Sequence, residues 1–131
     1  MSGVSTSSIR GLAGVLVWTD AARFDAMRRF YVEMLGLRAR SDRRGFVNFE
    51  WGDLRLTVAV HDGVAGGSRE PLRVMLNLRV DDIDAAHAAL VRAGVRFSRA
   101  PATEPWGGRV ATFQDPDGNT LQLMQPPGNA G

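Results

Sequence analysis

The 131-residue chain has no cysteine, no lysine and only two histidines. Without cysteine there is no disulfide framework, no thiolate metal site and no thiol nucleophile. Without lysine the protein cannot form a Schiff base. Long apolar runs are also missing, since none approaches the ~20 residues that span a bilayer. The polar start MSGVSTSSIRG lacks the apolar centre of a signal peptide and reads as a loose tail. The expectation is a cytoplasmic protein with no membrane partner. Net charge is low as well, at +2. The pI of 10.3 reflects sixteen basic residues that are all arginine. These are scattered, with RARSDRR (residues 38–44) the only cluster, whereas a nucleic-acid face shows a continuous basic stripe. No nucleic-acid partner is expected.

The remaining composition is that of a folded domain, 44% hydrophobic and 23% charged, with length for one core. Residues 15–40 and 76–100 share one design. Each opens with a short β-rich run ending at an aspartate suited to capping a helix, Asp20 in one and Asp81 or Asp82 in the other. Each continues as an amphipathic helix, with Phe24, Met27, Tyr31, Met34 and Leu35 on one apolar stripe and Ile83, Ala86, Leu90 and Val91 on the other. Each helix stops at a glycine, Gly36 or Gly94, placed for a left-handed C-terminal cap. Two hairpins follow the same plan: FVNFEWGDLRLTVAV turns at WGD, and RVATFQDPDGNTLQLM turns at DPDG, where Pro116 and Gly118 suit a tight turn.

The pattern is strand–helix–strand–strand–strand, twice, in a single domain spanning 1–131. Module one covers about 12–62, a Gly/Ser-rich linker 63–72, and module two about 73–126. The predicted class is α+β: two βαβββ modules forming one curved, mostly antiparallel sheet around a concave cavity, with the helices outside. Such a face is where a ligand would sit.

FYVEMLGL, VDDIDAAHAALVRAGV and DPDGNTLQL stand in the order and spacing of the vicinal oxygen chelate superfamily, which this chain resembles over about residues 12–126. That superfamily includes glyoxalase I, extradiol dioxygenases, fosfomycin-resistance proteins and bleomycin-binding proteins, so the resemblance implies the fold more than one activity. In its metal-dependent members four inward-facing ligands come from equivalent strands. The resemblance maps these onto Ala13, Arg55 (Leu56 if the register slips by one), Met75 and Gln122. Alanine has no donor, arginine is a fixed cation and a thioether suits a hard divalent ion poorly. Gln122 offers one neutral oxygen. The expectation is a protein with no metal and no cofactor.

Trp106 and Arg109, in the loop before the seventh strand, would line the cavity mouth if they are not a plug and an ion pair with Asp115 or Asp117. Trp18 is a candidate lining residue and Trp51 a candidate dimer contact. Arg55 would meet an acidic ligand group, or pair with Glu50 across the hairpin. Phe49 alternates with Phe46 as core residues do, yet it too is carried as a candidate lining residue, alongside Gln122. Arg29 and Glu33 are expected to pair along the first helix, and His87 to pack beside the apolar stripe.

The leading expectation is a metal-free homodimeric binder of an aromatic, antibiotic-like small molecule, as the family's bleomycin binders are. The alternative is a lyase, isomerase or dioxygenase with a relocated metal or metal-free acid/base chemistry. Its candidates are Glu50, Glu104 and His61; no catalytic residue is assigned.

Overall fold

Both repeats fold as the alternation of their apolar residues requires. In the first, β1 (Gly14–Thr19) precedes α1 (Phe24–Arg29), which runs directly into a π-helical turn (Phe30–Met34). Then come β2 (Ser41–Arg43), β3 (Phe46–Trp51) and β4 (Leu54–Val60). The second has β5 (Met75–Arg79), α2 (Ile83–Arg92), β6 (Phe97–Thr103), β7 (Arg109–Gln114) and β8 (Thr120–Gln125). The computed structural model describes residues 8–128, so the expected loose tail at the start falls mostly outside the described residues.

The α+β class and the two βαβββ modules are as expected. The eight strands hydrogen-bond as two open sheets of four, ordered β1-β4-β3-β2 and β5-β8-β7-β6. In each sheet the first and last strands of the module lie parallel, because the chain crosses over through its helix, and the other pairings are antiparallel. β6 is an edge strand with two register shifts, which is where its Pro101 is tolerated.

One apolar core serves both modules. Phe24, Met27, Phe30, Tyr31, Val47, Phe49, Leu56 and Val58 from the first are buried with Ile83, Val95, Ala111, Phe113, Leu121 and Leu123 from the second. Phe30 and Phe113 meet across the module boundary, ring centroids 6.1 Å apart. The Tyr31 hydroxyl, also at that boundary, donates to Asp115 Oδ2 at 2.7 Å. Asp115 is buried, and its carboxylate also accepts from the Asp117 and Asn119 backbone N–H groups and the Asn119 amide. Burial nonetheless raises its pKa above the ordinary carboxylate value. The same burial, with Asp115 beside it, pushes the Tyr31 phenol well up.

Gly36 and Gly94 take positive φ, +71° and +100°, as C-terminal caps do. Of the two aspartates before α2, Asp82 is the cap, accepting from Ala85 N–H at 3.1 Å. Asp20 is not the cap of α1: it closes a turn by accepting from Arg23 N–H, and helical geometry begins only at Phe24. The expected Arg29–Glu33 pair also gives way. Glu33 lies 3.8 Å from Arg28, five residues back, because the π turn bonds each N–H five residues back, as Leu35 does to Phe30.

The glycine-rich connection between the modules is fastened to both. Gly66 N–H donates to Asp20 Oδ2 at 2.8 Å, and Ser68 N–H to the Asp117 carbonyl at 2.7 Å. A side chain at Gly67 would begin 3.0 Å from that carbonyl oxygen.

Candidate functional site

Strand alternation decides which residues share a surface. In β4, Leu56 and Val58 are core, so Arg55, Thr57 and Ala59 occupy the other face. Cross-strand partners extend that face to Phe46, Asn48 and Glu50 of β3, and to Gly14, Leu16 and Trp18 of β1; Asn48, Thr57 and Ala59 are buried at its centre, and the rest of this face is open. In the second sheet Leu76, Leu78, Leu121, Leu123, Ala111 and Phe113 face the core. The other, largely open face there carries Met75, Asn77 and Arg79, with Gln122, Met124 and the buried Thr120 beside them and Thr112 and the buried Val110 beyond.

These open faces hold most of the residues singled out by sequence. Leu16 is 59% exposed, Trp18 39% and Met75 38%, so in a single chain both faces present apolar area to solvent. Trp18 sets its ring edge-on to His61, centroids 5.0 Å apart, and His61 Nδ1 accepts from Gly63 N–H. Gln122 donates from Nε2 to Asn77 Oδ1 at 2.8 Å. Arg55 Nε lies 3.1 Å from Glu50 Oε2, and Arg40 Nε approaches the same oxygen at 3.2 Å. The cross-strand partner read for Arg55 is thus present, joined by a second arginine.

Trp106 precedes β7. It lies in the tight loop closed by Gly107 N–H donating to the Glu104 carbonyl and Glu104 N–H to the Gly108 carbonyl. A Cβ at Gly108 would fall 1.8 Å from the Trp106 ring, so the indole fills the space a side chain there would take. Gly108 directly precedes β7 and has the parity of Val110, and the Trp106 ring beside it is 54% exposed.

Arg109 and Phe49 are not part of this surface. Arg109 has the opposite parity: it pairs in register with Gln125, whose side chain caps the start of α2 by accepting from Ile83 N–H. Its guanidinium bonds Asp84 of that helix at 2.7 Å, not Asp115 or Asp117. The pair raises the Arg109 pKa and lowers that of Asp84, each chiefly through this hydrogen bond. Phe49 is 1% exposed and stacks on Tyr31 in the core. Trp51 stands 47% exposed at the hairpin end, and His87 packs edge-on against Phe97.

The family's metal positions can now be read from geometry. Arg55, not Leu56, is on the open face; the register slip falls instead in the first strand. There Gly14 sits beside Arg55 and Ala13 precedes the strand, contributing its carbonyl to Arg55 N–H at 3.0 Å. The four positions therefore offer a glycine or alanine, a guanidinium engaged by Glu50, a thioether and a carboxamide engaged by Asn77. Among the described residues no group of three histidine, cysteine, aspartate or glutamate side chains converges to hold a metal ion. These donors do not fit a divalent metal. Of the acid/base candidates, Glu50 is held by two arginines and Glu104 by Arg99.

Comparison with known proteins agrees with this architecture. Residues 21–123 match the family model of the Glyoxalase/Bleomycin resistance protein/Dioxygenase superfamily, and the chain belongs to that superfamily. A bleomycin resistance protein from Klebsiella pneumoniae is 31% identical, over 78% of this chain and 83% of its own. TnmS3, an antibiotic binding protein from Streptomyces sp. CB03234, superposes with a TM-score of 0.70 at 30% identity, covering 92% of this chain and 98% of that one. A glyoxalase/bleomycin resistance protein/dioxygenase from Nocardioides does so with a TM-score of 0.72 at 26% identity, over 96% and 89%.

Proposed function

We propose that this protein binds a small aromatic, antibiotic-like molecule on its open sheet faces without a metal, and so sequesters it as an antibiotic-resistance protein does. The observation that carries the reading is the donor set at Gly14, Arg55, Met75 and Gln122, which has lost its ligating chemistry while indole and thioether surfaces remain. Two relatives named for bleomycin resistance and antibiotic binding support it. Trp106 and Trp18 supply rings for stacking, Arg55 charge and Gln122 with Asn77 hydrogen-bonding amides. The chain acts as a homodimer in this account, because apolar side chains on both open faces call for cover that one chain does not supply.

A library of planar aromatics screened by tryptophan fluorescence is expected to yield quenching ligands that also raise the melting temperature. Trp106→Ala should weaken such binding by roughly tenfold, the loss of ~1.4 kcal/mol of stacking, and leave the fold intact because the ring is half exposed. A variant that is severely destabilised yet binds normally would show the indole to be structural, and the reading would fall.

A further inference from the structure

Granted that the open faces bind a small aromatic molecule, we infer that the molecule carries a negatively charged group, which docks on the arginines of the first sheet's open face. The charges along these faces are unbalanced. In the first sheet, Arg40 and Arg55 converge on a single Glu50 oxygen, so one carboxylate answers two guanidiniums. Arg43 has the parity of Phe46 and lies over its ring, 4.4 Å from the centroid, with no carboxylate partner among the described residues. In the second sheet Arg79 shares the face of Asn77 and Gln122 and has no ion-pair partner among the described residues. Only Arg99, held by Glu104, is neutralised there.

Several acidic residues are engaged elsewhere. Asp42 binds Arg28, Asp84 binds Arg109, and Asp115 and Asp117 belong to the β7–β8 turn. Around Glu50 two guanidiniums therefore share one carboxylate, although the net charge of the whole chain is only +2. A guanidinium offers a planar fork of donors that an oxyanion satisfies at two points. Arg55 lies between Gly14 and Glu50, with Thr57 and Leu16 next along the same face, where a bound aromatic ring would exclude water and strengthen the pairing. A cationic ligand would instead meet like charge at Arg40, Arg43 and Arg55.

The test compares three probes with one ring system, 2-naphthoate, 2-naphthylmethanol and 2-naphthylmethylammonium, titrated calorimetrically into the chelator-treated full-length protein. The carboxylate should bind at least tenfold more tightly than the ammonium, with an affinity that falls as salt is raised. Arg55→Gln should remove most of that preference and leave the alcohol unchanged. Glu50→Gln should tighten naphthoate binding, because it frees Arg40 and Arg55; an arginine cluster present only for stability predicts no gain. Preferential binding of the ammonium, or of the alcohol with no salt dependence, would overturn the inference while leaving aromatic binding standing. Failure of all three probes to bind, in a protein whose library screen also yields no ligand, would overturn both.

Discussion

Single residues carry most of the distinction between what this chain does and what holds it together. Tyr31 and Asp115 belong to the second group. Tyr31→Phe removes a buried, charge-assisted hydrogen bond and should cost ~1–3 kcal/mol. Because Asp115 has a raised pKa, its contribution to stability is present at acid pH and is lost as pH rises through the raised folded value. The tyrosine hydroxyl counteracts part of that rise, so without it the folded pKa climbs further and the loss with pH deepens. The penalty of Tyr31→Phe should therefore be larger at pH 7 than at pH 4 in urea denaturation. A penalty that shrinks with pH would contradict this assignment.

At the same scale, alternation made some residues legible and misplaced others. Arg55 and Glu50 face each other across a tight hairpin, so their pairing could be read from spacing alone. Trp106 and Arg109 are only three apart and looked like one recognition unit. The strand starts at Arg109 itself and turns its guanidinium toward α2, where its true partner, Asp84, is 25 residues away in sequence. Counting parity back from Val110 would have shown that direction; nothing local names Asp84. Phe49 was ambiguous for the same reason until Val47 and Leu56 fixed the buried face.

Elements were read more securely than contacts, because caps and periods are local. Gly36, Gly94, Asp82 and the DPDG turn act where their chemistry says. The π turn leaves no sequence signal, since one extra residue in a helical period leaves an apolar stripe nearly unchanged; the Leu35–Phe30 backbone bond and the Arg28–Glu33 pairing reveal it. The division of eight strands into two hydrogen-bonded sheets depends on long-range pairing that no local pattern carries. We expect the modules to depend on one another, because Phe30, Tyr31, Phe113 and Asp115 meet at their boundary. Residues 1–65 and 66–131 expressed separately should aggregate or remain unfolded. Two soluble halves with cooperative melting would contradict a single folding unit.

Two proposed properties of the molecule belong together, a cover for the open faces and a ligand held without metal. Neither sheet buries Leu16, Trp18 or Met75 within one chain, and a second copy is the proposed cover. One fold hosts many chemistries, so the decision rests on side chains at a few strand positions. One measurement addresses both claims together: a native mass spectrum of the freshly purified protein, recorded after chelation and again with a quenching aromatic ligand added. The account predicts a dimer mass without metal that shifts by the ligand alone. A tightly held divalent metal on each chain, or a ligand retained only after metal is restored, would contradict it.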